Sequence, residues 1–374
     1  MELQQDFQER EEKLEKKTWK KHKSEPTLIE ALSVLTKKEL DKIRKSYEFT
    51  GISTLKKADL ANELAKSIPA NLERILYKLD EERYYLLKNI VKNGGSIEDK
   101  GNLTLPKIIW LVENSIVFPS EINNEKNLVM PKEIVNRFNE LDGLELFKVV
   151  KRNTEWINLI HGMLYYYGIM KTSLIIEKLR EYTGEEIELL KFFKVLHSSL
   201  DYYLRIFYKG SFLVDERVSD FLELKEAQDA RDVIPYYPFT KQQLLNASKE
   251  DYFDLTPEIR EFRQYLIHHY EFEKEELDEI CLDLTDMINI SMDVSTIIQE
   301  IVSQMEIPSM DVLNDITGKI IKVNNTTRMW MLKGHKPSEI KRPTNNHPAN
   351  VMNFDKSAPN VMSMDKHSAS VMSK

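Results

Sequence analysis

The chain has 374 residues, of which 30% are charged and 41% apolar, and its formal net charge at pH 7 is −8. A chain of this length is expected to form roughly two to four structural units, and its composition is that of a globular protein with a hydrated surface. The negative net charge excludes a protein that coats nucleic acid along its whole surface, because phosphate binding needs a positive field. Any nucleic-acid contact must therefore be local.

The cysteine and histidine content predicts no metal site. Cys281 is the only cysteine, so neither an intrachain disulfide nor a cysteine zinc site can form, and the run EICLDLTDMI predicts a buried thiol. The adjacent His268 and His269 would point about 100° apart on a helix and would not converge on one ion. His161 and His197 are expected to be satisfied core or surface residues. We expect no metal and no cofactor.

Neither a membrane segment nor an enzyme motif is evident. No stretch approaches the roughly 18 apolar residues that a membrane helix requires, and the N-terminal sequence has no apolar region of a signal peptide. A P-loop, a glycine-rich fingerprint and a nucleophile elbow are also missing from the sequence. These observations predict a cytoplasmic protein that is not an enzyme and does not contact a membrane.

Residues 1–27 form a predicted charged arm, which ends in the basic run KKTWKKHK before Pro26. Such a segment is expected to be a solvated helix or an extended arm. Trp19 lies between lysine pairs, where its ring could stack on a nucleic-acid base. Packing against the neighbouring domain is the commoner role for a tryptophan in this position, and it is the one we favour.

The next stretch, LTKKELDKIRKSYEFTGISTLKKADLANELAKSI, predicts two amphipathic helices around one glycine. Thr36 and Glu39 form a predicted capping box, which sets the start of the first helix. Gly51 supplies the turn, Ser53 is the expected N-cap of the second helix, and that helix is expected to end before Pro69. The pair is too small to be stable unless it docks on something.

Six lysines of these two helices are candidates for phosphate contact: Lys37, Lys38, Lys42, Lys45, Lys56 and Lys57. Acidic side chains such as Glu39, Asp41 and Asp59 alternate with them, so the net positive excess is small. Ordinary solvated surface lysines explain the pattern nearly as well. The residues alone therefore leave both explanations open.

The same stretch resembles the Rho termination factor N-terminal-like domain and the closely similar SAP motif. The resemblance rests on the leucine-rich first helix, on Gly51 in the turn and on LKKADL at the opening of the second helix. It implies a nucleic-acid-binding helical domain over residues 28–70. In that family, Lys56 and Lys57 would lie at a helix N-terminus, where backbone amides and lysines can jointly meet phosphate.

Residues 71–150 predict a winged-helix-like module. The segment DEERYYLLKNIVKNGG is expected to be a helix capped by Asp80 and stopped by Gly94 and Gly95. A second helix, opened by Pro106, follows in LPKIIWLVENSIVFP. The alternating run SIVFPSEINNEKNLVMP then predicts a β-hairpin, which completes a degenerate module of this kind.

Residues 151–222 predict a fuller copy of the same module. The segments TEWINLIHGMLYYYGIM and TSLIIEKLREYTG are expected to be helices that end at Gly168 and Gly184, a third helix follows in EEIELLKFFKVLHSSL, and two strands surround Lys209 and Gly210. The third helix of a winged helix normally enters a DNA major groove. Here its expected leading turn carries three glutamates: Glu185, Glu186 and Glu188. Because they would repel phosphate, we predict a packing or protein-binding unit.

Residues 223–340 predict an acidic helical domain. Thr256 and Pro257 signal the start of one helix, and a last helix is expected from about Ser309, carrying Trp330 and Leu332 toward the core. The acidic surface should repel phosphate. It could instead dock a basic partner or the basic N-terminal arm.

The segments GMLYYYGIM, YYPFTKQQLLNAS and NNTTRMWMLKGHKPSEI resemble a group of bacterial cytoplasmic proteins that carry a Rho-N-like domain in front and a SEC-C metal-binding motif behind. The resemblance covers about residues 28–340. Where the SEC-C cysteines would lie, residues 341–374 carry a ten-residue repeat marked by Val-Met pairs. This tail predicts no metal site. We expect it to be disordered, although a repeated Val-Met element could also act as a multivalent docking motif.

Together these observations predict a mainly α, multi-domain helical protein with an N-terminal helical hairpin and winged-helix-like modules that carry small β-hairpins. The expected function is that of a non-enzymatic binding or adaptor protein, with weak DNA or RNA contact through the N-terminal domain and an unidentified protein partner. The alternative is a protein–protein interaction protein, related to the SEC-C group, that does not bind nucleic acid. A hydrolytic enzyme would require a pocket with convergent polar groups that the sequence does not indicate.

Overall fold

The computed structural model describes residues 18–19, 26–101, 103–122 and 124–340. Over these residues it is mainly helical, with sixteen α-helices and two small three-stranded antiparallel sheets. The prediction of a mainly α protein with small β-hairpins is confirmed. Most of the predicted charged arm and the repeat tail lie outside the described residues.

The N-terminal part of the described chain surrounds the first sheet. Its helices are α1 (Leu28–Ser33), α2 (Lys37–Ser46), α3 (Lys57–Asn71), α4 (Glu73–Leu76), α5 (Glu81–Lys92), α6 (Leu105–Glu113) and α7 (Lys132–Leu141). Its strands are β1 (Ser96–Glu98), β2 (Phe118–Ile122) and β3 (Glu125–Val129), which form sheet 1 with β3 in the centre. Phe118 lies opposite Val129 in the predicted β-hairpin. Apolar side chains from these elements form a first hydrophobic core.

The middle part repeats this plan around the second sheet. Its helices are α8 (Leu144–Tyr167), α9 (Thr172–Thr183), α10 (Leu189–Tyr203), α11 (Phe221–Asp229) and α12 (Lys241–Ala247). Its strands are β4 (Ile169–Lys171), β5 (Ile206–Lys209) and β6 (Phe212–Asp215), which form sheet 2 with β6 in the centre. The order of α8, β4, α9, α10, β5 and β6 is the order of elements in a winged helix. A second core lies between them.

The C-terminal part of the described chain is helical. It contains α13 (Pro257–His269), α14 (Lys274–Asn289), α15 (Val294–Ser303) and α16 (Met310–Thr326), followed by two short 3-10 turns at Trp330–Leu332 and Pro337–Glu339. A third core forms between these helices, and Cys281 lies in it with no exposed surface.

Polar caps and glycines set the helix ends largely as expected. Four side chains at predicted helix starts accept a backbone hydrogen bond from the first turn: Thr36, Asp80, Thr256 and Ser309. Gly168 and Gly184 end α8 and α9 with φ values of 68° and 69°, a backbone conformation that glycine adopts without strain. These local signals are short-range, which is why they can be read from sequence.

Two predicted helix ends are wrong. α3 does not stop before Pro69 but continues to Asn71, because Ile68 and Leu72 on either side of the proline are both fully buried in the first core. The last helix ends at Thr326, so Trp330 reaches the core from a 3-10 turn. Trp330 is buried as expected, at 1% exposure. In both cases tertiary packing decides where the backbone turns.

The longest helix joins two of the cores. α8 has 24 residues, and it begins well before the segment in which the sequence predicted it. Leu146 and Val150, in its first half, lie in the first core, whereas Ile157 and Leu164 lie in the second. One continuous helix therefore passes from the first sheet module to the second.

Candidate nucleic-acid interface

The start of α2 presents Lys37 and Lys38. The Thr36 hydroxyl accepts a hydrogen bond from the Glu39 amide at 3.3 Å, and the Glu39 carboxylate accepts one from the Thr36 amide at 2.5 Å. This capping box holds the first turn of the helix in place. Both lysines of that turn are exposed.

The start of α3 presents Lys56 and Lys57, and it differs from the prediction. Ser53 is not the N-cap, because the helix begins only at Lys57 and Lys56 occupies the N-cap position. Gly51 supplies the turn before it, with a φ of 80°. Among the residues that the structure describes, no side chain caps α3, so the backbone amides of its first turn keep their capacity to bind an anion.

The other two candidate lysines are engaged within the protein. Lys42 forms an ion pair with Glu113 at the end of α6. Lys45 lies 3.2 Å from a carboxylate oxygen of Asp41. Hydrogen bonds from Arg44 and Lys45 lower the pKa of this aspartate. Lys42 and Lys45 thus differ from the four lysines at the helix starts, because their charges are already paired within the protein.

The helical hairpin of α2 and α3 docks on the first sheet module. The buried Tyr47 donates a hydrogen bond from its hydroxyl to the carbonyl of Asn114 at 3.0 Å, and burial raises the pKa of this tyrosine. The Ser46 hydroxyl donates to the carbonyl of Glu113 at 3.0 Å, and Arg74 donates to the carbonyl of Tyr47 at 2.8 Å. The hairpin is therefore held on a rigid support, as its small size required.

The third helix of the second module, α10, packs against the first module. Lys194 lies 2.9 Å from Glu48 of the segment that joins α2 to α3, and this hydrogen bond lowers the pKa of Glu48. Tyr202 donates to the Glu82 carboxylate at 3.1 Å, and α10 packs against α6. The predicted leading turn is wrong in one respect: Glu185 and Glu186 lie in the loop before α10, and Glu188 is its N-cap.

A fully buried arginine joins the two modules. Arg83 has no exposed surface, and it donates to the Asp80 carboxylate at 2.9 Å and to the Ser198 hydroxyl at 2.8 Å. Its guanidinium also lies 4.8 Å from the Trp110 ring. Burial alone would lower the pKa of Arg83, but the Asp80 charge raises it above its ordinary value. Arg83 and Ser198 are 115 positions apart, so no local sequence pattern indicates this contact.

The three segments on which the SEC-C-group resemblance rests meet in one place. The Trp330 indole donates to the carbonyl of Tyr165 at 2.8 Å, and the Tyr166 ring stacks on Phe239 with centroids 3.8 Å apart. A Cβ added to Gly162 would lie 2.0 Å from the Leu244 carbonyl oxygen, so α8 and α12 touch backbone to backbone. These contacts give the segments a shared structural role in packing.

His161 and Cys281 are buried, whereas His197, His268 and His269 are exposed. Burial lowers the pKa of His161 to about 3 and raises the pKa of the Cys281 thiol to about 11. Within the part of the chain that the structure describes, no three His, Cys, Asp or Glu side chains are arranged to hold a metal ion. Trp19 packs against the first core, with the Lys126 ammonium 5.2 Å from its ring.

Two cavities open on the surface of the described residues. One, of about 320 Å³, is lined by Arg217, Asp283, Asp286, Met287 and Ile290, among others. The other, of about 410 Å³, is formed mainly by the loop of residues 249–255. In the first cavity, the Arg217 guanidinium lies 2.5 Å from the Asp286 carboxylate. The positive charge of Arg217 is therefore already paired with another residue of the cavity lining.

Comparison with protein-family models, with curated proteins and with solved structures finds no match to this chain. No helix in the described ranges combines the length and the apolar character needed to cross a membrane. The arrangement of residues is therefore the basis for any functional proposal.

Proposed function

We propose that this protein is a non-enzymatic binding protein that contacts DNA or RNA weakly through its N-terminal helical hairpin. One observation carries the proposal. Four lysines stand at the starts of α2 and α3, all of them exposed: Lys37, Lys38, Lys56 and Lys57. Among the described residues, none of the four forms an ion pair, in contrast to Lys42 and Lys45.

The start of α3 is the stronger of the two candidate positions. Its first-turn amides have no side-chain cap, so a phosphate oxygen can accept hydrogen bonds from them while Lys56 and Lys57 supply positive charge. The start of α2 is closed by the capping box of Thr36 and Glu39. Lys37 and Lys38 there contribute charge alone.

The contact is expected to be weak and sensitive to salt. Asp59 and Glu63 lie on α3 beside the lysines, and the whole chain carries a net charge of −8. Each phosphate neutralised adds about 0.7 to 0.9 to the slope of log affinity against log salt. Four lysines therefore predict a slope with a magnitude of about 3.

The test is the binding of the full chain to labelled DNA and RNA oligonucleotides between about 50 and 200 mM salt. The variant carries Lys37→Gln, Lys38→Gln, Lys56→Gln and Lys57→Gln. A charge-matched control replaces four ion-paired lysines on other helices with Gln: Lys88, Lys148, Lys178 and Lys319. We expect the variant to lose most of the salt-dependent affinity and the control to keep it. Equal losses in both would overturn the proposal.

A second candidate function, docking of a protein partner without nucleic-acid binding, is favoured by the start of α10. Leu189 is 48% exposed and Leu190 is 66% exposed, directly after the acidic loop. Adjacent apolar and acidic groups suit a partner with apolar and basic residues. The pair Leu189→Ser and Leu190→Ser should abolish co-purification of such a partner, whereas Leu144→Ser, at another exposed leucine, should not. Unchanged co-purification in the double variant would reject this surface.

A further inference from the structure

A row of three side chains crosses sheet 2 beside its β-hairpin turn. Lys171 of β4 lies opposite Phe212 of β6, and Phe212 lies opposite Lys209 of β5. Residues directly opposite each other on antiparallel strands point to the same face, with Cβ atoms about 5 Å apart. The phenyl ring of Phe212 therefore stands between two lysines, in an arrangement that we term the Lys-Phe-Lys row.

Both ends of the row are open to solvent, whereas Phe212 at its centre is half-buried. Lys171 and Lys209 are both exposed, and the Lys171 ammonium is 5.9 Å from the centre of the Phe212 ring. Phe207 precedes Lys209 by two positions on the same strand, so it points to the same face, and it is 41% exposed. Within the described ranges neither lysine forms an ion pair. An exposed ring and two unpaired ammonium groups thus share one surface.

The surface is held rigidly. The hairpin turn contains Gly210 with a φ of 60°, and Thr172 donates from both its amide and its hydroxyl to the Ser211 carbonyl, at 2.9 and 3.0 Å. The Phe212 ring meets Phe221 of α11 edge to face, with centroids 5.5 Å apart. The backbone of the row and the Phe212 ring are therefore held in place before any ligand arrives, which lowers the cost of ordering them on binding.

An acidic group whose charge acts on Lys171 is already paired with another lysine. Asp229 at the end of α11 lies 2.5 Å from Lys225. This hydrogen bond, together with the more distant charge of Lys171, lowers the pKa of Asp229. Lys171 consequently keeps most of its charge available to a ligand.

We propose that the Lys-Phe-Lys row and Phe207 bind single-stranded nucleic acid. A base can stack on the exposed Phe207 ring, and the two lysines can contact phosphates on either side of Phe212. The lysines stand on the two outer strands, about 10 Å apart. A single strand offers free base faces to such a surface, whereas a duplex keeps its bases stacked on one another. The inference rests on the proposed function, namely that this protein contacts nucleic acid, and names the form that it would bind.

The experiment measures binding of the full chain to a fluorescent single-stranded oligothymidine and to a duplex of the same length. We expect Phe207→Ala to weaken single-strand binding about tenfold and Phe207→Trp to preserve it, because stacking on one ring has that magnitude. Lys171→Gln with Lys209→Gln should lower the salt slope by about 1.4, since each charge on a single strand contributes about 0.7. The control, Lys148→Gln with Lys178→Gln, removes the same charge from ion-paired positions and should change nothing.

The outcomes separate this inference from the proposed function. If Phe207→Ala binds the oligothymidine as tightly as the wild type does, or if inorganic polyphosphate competes as well as the unlabelled oligothymidine, stacking on this surface is rejected. If the variant lacking Lys37, Lys38, Lys56 and Lys57 loses all binding while the row variants keep theirs, the helical hairpin alone binds and the row does not. Loss in the row variants alone supports the row and rejects the hairpin.

Discussion

Sheet 1 and sheet 2 share one topology and carry different surfaces. In each, the first strand pairs with the third, and the third lies between the other two. The last residue of the first strand is Glu98 in sheet 1 and Lys171 in sheet 2. Glu98 lies opposite Asn127, whereas Lys171 lies opposite an aromatic ring. Backbone pairing sets the strand order, and the side chains are free to differ. The same scaffold can therefore present an acidic, polar edge in one sheet and a basic, aromatic edge in the other.

The two modules also differ in their helices. The second has α10 between α9 and β5, and the first has no separate helix at the corresponding place in its order of elements. α10 instead packs on α6 of the first module and provides the Ser198 contact for Arg83. The helix that would enter a DNA groove in a winged helix is thus used here to hold two modules together. This difference suggests that any nucleic-acid contact comes from other surfaces.

The strongest way to break the second module is to separate α8 from α12. Gly162→Ala would place a Cβ 2.0 Å from the Leu244 carbonyl oxygen, and neither backbone can give way without moving a helix. We expect the free energy of unfolding to fall by about 4 kcal/mol or more, measured by denaturant titration. Gly318→Ala in α16 is the matched control, because nothing lies within 4 Å of its Cβ. It should stabilise the protein by about 0.5 to 1 kcal/mol, since alanine is the better helix former.

The junction between the two modules should depend on Arg83. Arg83→Ala leaves the buried Asp80 carboxylate without its partner, and removing one member of a buried ion pair costs about 3 kcal/mol. Lys88→Ala, which breaks the exposed pair with Asp142, should cost less than about 1 kcal/mol. Thermal unfolding of both variants tests the contrast. Similar losses in the two would show that the junction is not held by the buried pair.

The second core is expected to be sensitive to acid through His161. Its pKa is about 3 in the folded protein and about 6.5 when unfolded. The unfolded chain therefore binds the proton first, so the stability that depends on a neutral imidazole is present above about pH 6.5 and is lost as the pH falls. Between pH 7 and pH 5 the loss should be about 2 kcal/mol.

A comparison with His161→Gln isolates this effect from the carboxylates that also titrate. The difference in unfolding free energy between wild type and variant should shrink as the pH falls from 7 to 5. A pH-independent difference would mean that His161 does not carry the acid sensitivity.

The smallest expected effect is at the edge of sheet 1. Glu98→Lys copies the charge of Lys171 without its aromatic neighbour, at an exposed position where the stability should change by less than about 0.5 kcal/mol. We expect no gain in oligothymidine affinity beyond that of one added charge. A gain that equals the contribution of sheet 2 would show that charge, and not the ring, distinguishes the two sheets.

Local signals allowed much of the fold to be predicted from sequence. The caps at Thr36 and Asp80, the glycine stops at Gly168 and Gly184, and the strands around Gly210 all depend on residues within a few positions of each other. The short outer strands β1 and β4, of three residues each, were missed. Three residues give no recognisable alternation, and each strand pairs with a partner far along the chain.

The candidate interface was predicted only in outline. All six lysines are exposed, as amphipathic spacing indicated, but the ion pair that engages Lys42 comes from Glu113, which is distant in sequence. The Lys-Phe-Lys row joins strands that are separated by two helices, so no sequence window contains it. The acidic leading turn of α10 was misplaced because the helix starts at Leu189, after the glutamates. Contacts between distant segments decided the first two of these points.

The long helix α8 has a consequence for dividing this protein into fragments. At 1.5 Å per residue its 24 residues span about 36 Å, and apolar groups along it belong to two different cores. A truncation near residue 150 would cut the helix within its first third. It would expose Leu146 and Val150 on one product and the second core on the other. The two sheet modules therefore cannot be separated by cutting within α8. A stable fragment would have to keep the whole of α8 together with the first and second cores that pack on its two halves.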